Sequence, residues 1–226
     1  MLVAIHQPEY LPWIGYFEKM IRAEVFVLLD DVQFSKGDFQ NRTRIKGSSG
    51  PQWLSVPIIH KLPQKISEVG ISETHWQQKH WKSIVSCYAK ARYFPLYAQL
   101  FEALYRQPWE KLVDVNIAAL DLTTQILGIE KKWILSSTVG VSGTRSDLVL
   151  NICKELKASA YYSGRTGSTY LKREDFRQAG IEVIVQNFIH PVYEQGFATE
   201  PAFIPNLSVI DLLFNSGPHS RDLLCP

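Results

Sequence analysis

His6-Gln7-Pro8-Glu9-Tyr10-Leu11-Pro12-Trp13-Ile14-Gly15-Tyr16-Phe17-Glu18-Lys19, set between the apolar runs Leu2 to Ile5 and Val25 to Leu29, is the stretch whose reading decides the fold. Leu2-Val3-Ala4-Ile5 is continuously apolar, as a strand buried on both faces requires, and Pro8 stops it because proline has no N–H to give a ladder. Pro12 suits the first turn of a helix, after which Trp13, Phe17, Met20 and Ile21 recur at helical spacing. Ala23-Glu24 hands over to Val25-Phe26-Val27-Leu28-Leu29, closed by Asp30-Asp31, so the whole predicts a βαβ unit. Polar residues at the carboxyl ends of parallel strands line ligand sites, which puts His6 and Gln7 on one edge with Asp30 and Asp31. A helix start beside them would offer an anion its unpaired N–H groups and positive dipole end. Gly15 costs roughly 1 kcal/mol relative to alanine in such a helix, so it marks either the close approach of a ligand or tight helix–sheet packing.

Outward from this unit the pattern continues. Apolar runs near 132 to 136, 158 to 162 and 181 to 186 alternate with helical patterns, which predicts an α/β protein with a mostly parallel, Rossmann-like sheet. Residues 40 to 46 and 52 to 58 read as a hairpin around Gly47-Ser48-Ser49-Gly50-Pro51. Period 2 puts Arg42, Arg44 and Lys46 on one face and Asn41, Thr43 and Ile45 on the other. The three cations form either a solvated edge that discourages aggregation or a clamp for phosphate or carboxylate. The segment from about 74 to 128 is helical. Thr74 and Gln77 form a capping box, Pro95 and Pro108 open the next two helices, Gly128 ends the last, and His80 lies on an apolar face with Trp76, Ile84, Cys87 and Tyr88. Ser136 to Thr144 is a polar loop before a helix from Asp147 to Lys157, and Ser163-Gly164-Arg165-Thr166-Gly167-Ser168-Thr169 is a second loop before a helix from Tyr170 to Ala179. Arg165 with its two glycines reads as an anion-binding loop or a plain surface turn, and it matches no phosphate-loop or dinucleotide fingerprint. The last helix begins with Asn206 as N-cap and stops at Gly217, with Asp211 and Asn215 one turn apart as a structural bond or a ligand contact.

The 226 residues are 46% hydrophobic and 20% charged with a net charge of +2, an ordinary globular composition with no general attraction for polyanions. Nucleic acid is therefore not an expected partner. Cys87, Cys153 and Cys225 are too far apart for a zinc site or a disulfide framework and indicate a reducing compartment. The first residues lack a basic n-region and no run approaches a membrane span, so the expected location is the cytoplasm. No metal site is expected: Asp30 and Asp31, adjacent on one strand, point to opposite faces.

His-Gln-Pro-Glu-Tyr-Leu-Pro-Trp-Ile-Gly-Tyr at 6 to 16, Leu-Asp-Asp-Val-Gln-Phe at 29 to 34, Gln-Asn-Arg-Thr-Arg-Ile-Lys at 40 to 46, Tyr-Ser-Gly at 162 to 164 and Pro-Asn-Leu-Ser-Val-Ile-Asp-Leu-Leu-Phe-Asn at 205 to 215 resemble the WbqC-like family along essentially the whole chain. The resemblance implies one domain over 1 to 226, and a link to bacterial O-antigen and other surface polysaccharides, with glycine or another acyl group attached to an amino sugar. In outline the opening unit is also similar to nucleotidyltransferases with a His-x-Gly-His motif. Gly15 matches that motif, but both its histidines are absent.

Three functions follow as expectations. One is a transferase or ligase that acylates the amine of a nucleotide-linked amino sugar. The others are a nucleotide-activating enzyme and a non-catalytic nucleotide or sugar binding module. A nucleotide or an activated acyl donor would be the cofactor. His6 is the candidate for proton transfer, with Asp30 or Asp31 to orient its ring. The residues expected to touch substrate are Gln7, Tyr10, Trp13, Gly15, Tyr16 and Lys19 in the opening stretch, Gln33, Asn41, Arg42, Arg44 and Lys46 after it, Ser163, Gly164 and Arg165 in the later loop, and Asn206 and Asp211 near the end.

Overall fold

The computed structural model describes residues 1–59, 61, 63–72, 75–130, 133–197 and 202–224. Along the chain run β1 (Leu2–His6), α1 (Ile14–Arg22), β2 (Val25–Leu28), the pair β3 (Arg42–Gly47) and β4 (Gly50–Ser55), and the short pair β5 (Ile58–Ile59) and β6 (Gly70–Ile71). The helices α2 (Trp76–Tyr88), α3 (Phe94–Arg106) and α4 (Leu112–Ile126) follow. Then come β7 (Trp133–Leu135), α5 (Ser136–Val139), α6 (Arg145–Glu155), β8 (Ala160–Ser163), α7 (Arg173–Gln178), β9 (Glu182–Val185), α8 (Val209–Ser216) and α9 (Ser220–Leu224). By packing these divide into two compact units, one of Met1–Pro8, Glu18–Val32 and Lys131–Ile189, the other of Glu9–Phe17, Gln33–Glu130 and His190–Pro226.

In the first unit all five expected strands lie in one parallel sheet of order β7-β2-β1-β8-β9, the arrangement of a Rossmann-like fold. The opening βαβ unit is in register from Val3↔Val25 to His6↔Leu28. Val3 and Ala4 are fully buried, which is why the run is apolar at consecutive positions rather than alternating. Leu148, Ile152 and Cys153 of α6 and Phe176 of α7 complete the core around Val3, Val27 and Tyr161. The chain moves from β1 to β2 and β7 on one side, and then to β8 and β9 on the other. The topological switch point therefore falls between β1 and β8.

In the second unit β3 and β4 form the expected hairpin, pairing Arg42↔Ser55 through Gly47↔Gly50. The helical segment is present, with Pro95 in the first turn of α3. Among the described residues α2 starts at Trp76, and the proposed cap Thr74 lies outside them. The third helix starts at Leu112, after Pro108 rather than on it, with extended Lys111 as its cap. The helix expected over 170 to 179 is shorter, because a 3-10 turn occupies Gly167–Thr169 and α7 begins only at Arg173. The rings of Tyr88, Phe94 and Phe101 lie 5.3, 5.1 and 5.4 Å from that of Phe214, which roots α8 in this core. Gly217 ends α8 as expected, with φ at 56°, and a Cβ there would meet the Tyr93 ring at 2.4 Å. Ser208, not Asn206, caps that helix, its Oγ accepting from the Ile210 N–H, while Asn206 sits two residues earlier at φ 58°.

Candidate functional site

The carboxyl edge of the parallel sheet collects the polar ends of five strands. β1 ends at His6, β2 runs into Asp30 and Asp31, β7 into Ser136 and Ser137, β8 into Ser163 and Gly164, and β9 into Gln186. Backbone bonds hold these ends together, from the Leu29 N–H to the His6 carbonyl and from the Gln186 N–H to the Ser163 carbonyl, each 2.8 Å.

Helix α1 delivers two charges behind this edge. Glu18 and Lys19 are each only 2% exposed. Glu18 accepts hydrogen bonds from Arg22, from the Tyr162 hydroxyl at 3.2 Å and from Gln186 Nε2 at 2.6 Å, so the anion is distributed over partners from α1, β8 and the end of β9. The Lys19 ammonium donates to the Ile5 carbonyl at 3.0 Å, and a Cβ on Gly164 would stand 3.7 Å from Lys19 Nζ. A cation is thus planted between the ends of β1 and β8, where the sheet changes direction.

His6 is half-buried beside it, and its Nδ1 donates to the Gln7 carbonyl at 3.1 Å, which makes Nε2 the basic nitrogen. Burial, and then the Lys19 charge, hold the His6 pKa down to about 3. A backbone carbonyl thus orientates the ring. Asp30 is engaged by Ser137, through its N–H at 3.0 Å and its Oγ at 2.7 Å, and by Ser136 Oγ at 3.1 Å, and Asp31 also accepts from Ser136. These aspartates tie β2 to the start of α5. Arg165 is exposed on the loop after β8 and donates to Asn187 Oδ1 at 2.8 Å.

The remaining sequence candidates belong to the second unit, and several have structural partners. Gly15 does not open space for a ligand, because a Cβ there would meet the Trp13 indole at 2.1 Å. Ile14, Tyr16 and Phe17 are at most 1% exposed, so the side chains of the first turn of α1 are packed away from solvent. Tyr16 is pushed well above the usual tyrosine range by burial and by Glu9. Tyr10 is fully buried, its hydroxyl bonded to Tyr105 and, at 3.0 Å, to His80 Nδ1, while His80 Nε2 donates to the Ser55 carbonyl at 3.2 Å. Asn41 Nδ2 is spent on the Val56 carbonyl, and exposed Gln33 bridges to Lys65.

The cationic stripe is only partly as the hairpin predicts. Arg42 and Arg44 are half-exposed, but Lys46 is 1% exposed, with Nζ donating to the Ala202 carbonyl at 2.6 Å. Its charge acts on Asp211, which is also fully buried and accepts from the Tyr88 and Tyr193 hydroxyls at 2.9 and 2.8 Å and from Gln195 Nε2 at 2.9 Å. Asp211 and Lys46 are thus tied into one polar network inside the second unit. Asn215 Nδ2 donates to the Asp211 carbonyl at 2.7 Å, so the polar pair one turn apart is a backbone bond.

Sequence reading missed Glu18, Tyr162, Gln186, Ser136 and Ser137. Gln186 was within reach of the rule that picked out His6, since it too ends an apolar run. An open hollow of about 320 Å³ in the second unit, between α8–α9 and Arg92-Tyr93, is lined by Asn215 and by none of the other candidates. Among the described residues no group of three or more His, Cys, Asp and Glu side chains could hold a metal ion, and no helix is long and apolar enough to cross a membrane.

Depressed histidines make acid sensitivity an expected property: burial lowers His190 as well as His6 and His80. His80 is held at about 4 by burial, and His6 at about 3. Each imidazole binds its proton more weakly folded than unfolded, so the stability they provide is complete above the unfolded value of about 6.5 and drains away as pH falls through that value towards 4 and 3. Between neutrality and pH 5 the urea midpoint of His80→Gln should therefore fall less, or rise more, than that of the wild type, the opposing Asp211 component being common to both; identical shifts would contradict a depressed His80.

A doubly wound parallel sheet with a lysine, a neutral histidine and a glycine gathered at its switch point defines a Rossmann-like α/β protein with its candidate site on the carboxyl edge. The chain belongs to the WbqC-like protein family, which it matches over residues 7–223. A protein of Mycobacterium tuberculosis described as uncharacterized is 32% identical over 225 residues, spanning 98% of this chain and 96% of that one. No solved structure matches the chain.

Proposed function

We propose that the chain is a transferase or amide ligase of bacterial surface-polysaccharide biosynthesis, attaching an acyl or aminoacyl group such as glycine to the amine of a nucleotide-linked amino sugar. The observation that carries this reading is Lys19, a buried ammonium at the β1/β8 switch point beside Gly164. A lysine there acts as a point charge for a phosphate, and a glycine lets that phosphate approach the backbone. Acyl transfer forms a nitrogen–carbon bond, expels the donor's leaving group and removes one proton from the amine. His6 Nε2 is the group assigned to that proton. In the free protein its basicity is low, partly because of Lys19. A bound phosphate offsets the lysine's field, so the base strengthens when substrate is in place.

That same low basicity favours a second reading, a non-catalytic binding module for nucleotide-linked sugars, which needs Lys19 but no titrating group. Turnover separates the two. Loss of an acyl substituent from the polysaccharide of a deletion strain, seen by mass spectrometry and restored by the wild-type gene, is the result expected of the enzyme; an unaltered polysaccharide rejects it. Lys19→Met, similar in length, should weaken nucleotide-sugar binding by about 1.5–3 kcal/mol, the range for a hydrogen bond to a charged group, in titration calorimetry. Unchanged affinity in a folded variant would remove the phosphate from this edge.

A further inference from the structure

The β3–β4 hairpin carries an indole that serves no core. Trp53 is 45% exposed, opposite Arg44 in the ladder, and the Arg42 and Arg44 guanidinium carbons lie 4.2 and 5.6 Å from its ring centroid. Phe39 tilts towards the same ring at 5.8 Å. Arg42 is braced by a hydrogen bond to the Gly37 carbonyl, and Arg44 reaches the Asn206 carbonyl at 3.4 Å, so both cations are held on the ring by neutral oxygens. The Nε atoms of both arginines are covered without a hydrogen-bond acceptor among the described residues. A solvated edge that only discourages aggregation would spread its charges into water, and would not gather two of them around one exposed indole.

We propose that Trp53, Arg42 and Arg44 form a binding platform for a sugar ring bearing an acidic group. The sugar ring packs its C–H groups against the exposed part of the indole, and the guanidinium groups beside it take the anion through charge-assisted hydrogen bonds. Two cations suit one anionic group rather than a polyanion, in line with the net charge of only +2. Both lie within 5.6 Å of the ring centre, so the anion must be attached to the stacked ring itself or one bond from it, as in a uronic acid or a sugar phosphate. A nucleotide fits less well, because its ribose separates the stacking base from the phosphate. This site is independent of the chemistry proposed at the sheet edge.

The test is binding to the full chain by saturation-transfer NMR and titration, with glucuronic acid, glucose 1-phosphate, glucose and uridine monophosphate as probes. Both acidic sugars or one of them should bind in preference to glucose, and which of the two binds distinguishes a carboxylate from a phosphate ligand. Trp53→Ala and the double variant Arg42→Gln/Arg44→Gln should each weaken that binding at least tenfold, while Trp53→Phe retains most of it. The double variant leaves the indole in place, so a misfolded Trp53→Ala would not spare the proposal. Failure of both acidic sugars to bind, glucose binding equally well, no loss in the folded variants, or a uridine monophosphate signal that alone depends on Trp53 would each overturn it.

Discussion

Replacing Asp211 with alanine is expected to lower the unfolding free energy by about 3–5 kcal/mol, the cost of breaking a buried charged network by removing one member. The carboxylate is fully buried and accepts from buried Tyr88 and from partly buried Tyr193 and Gln195, so its loss leaves three donors facing a cavity. It also releases Lys46, whose charge the network feels. Asp211→Asn keeps the volume and one acceptor, and should cost less. Burial raises the Asp211 pKa in spite of the hydrogen bonds from Tyr193, Tyr88 and Gln195 that pull it down. A folded pKa above the unfolded one means that this group's favourable contribution is complete below the unfolded carboxylate value and is lost as pH rises through the folded one. The asparagine variant should lack that component. Urea unfolding at several pH values reads all three effects. An alanine variant that keeps wild-type stability but loses ligand binding would return Asp211 to the substrate site.

His6→Gln is expected to reduce turnover by roughly 10²–10⁴-fold while leaving nucleotide-sugar affinity nearly unchanged, as for loss of a general base. The glutamine amide can still donate to the Gln7 carbonyl that the imidazole Nδ1 now holds, so the strand end need not rearrange. Proton NMR of the wild type supplies the companion measurement. His6 should titrate near 3 in the free protein and move upward when a phosphate-bearing ligand offsets Lys19. Full turnover in the glutamine variant, or a His6 titration indifferent to the ligand, would be incompatible with His6 as the base.

The parallel sheet was legible because its strands are buried on both faces and read as unbroken apolar runs. Val3, Ala4 and Ile5 give one such run, and Val25 to Leu28 pair with them as the pattern requires. Polar residues ending those runs likewise pointed to His6 and Ser163. What the sequence concealed was burial of charge. Nothing local tells that Lys19 and Lys46 lie inside while Arg42 lies half outside, because burial depends on contacts with residues far along the chain, such as Ala202 for Lys46. The glycine at 15 misled for a related reason. Its missing side chain is matched by the Trp13 ring folded back over it, and a glycine making room for a neighbour has the same letter as one making room for a ligand.

The path of the chain between neighbouring strands has a consequence for assembly. β1 and β2 are adjacent and joined by residues 7–24, whereas β2 and β7 are equally adjacent but joined by residues 29–132. In polymer terms each doubling of a connecting segment adds only about 0.6 kcal/mol of closure entropy, so a detour longer by two to three doublings costs about 1.5 kcal/mol. That is a small charge on equilibrium stability and a larger one on the order of events. The β1–α1–β2 nucleus can close through a short connection, while the three-residue edge strand β7 must wait for a distant part of the chain. Length changes in the connection between β2 and β7 therefore add little to the closure cost of the sheet.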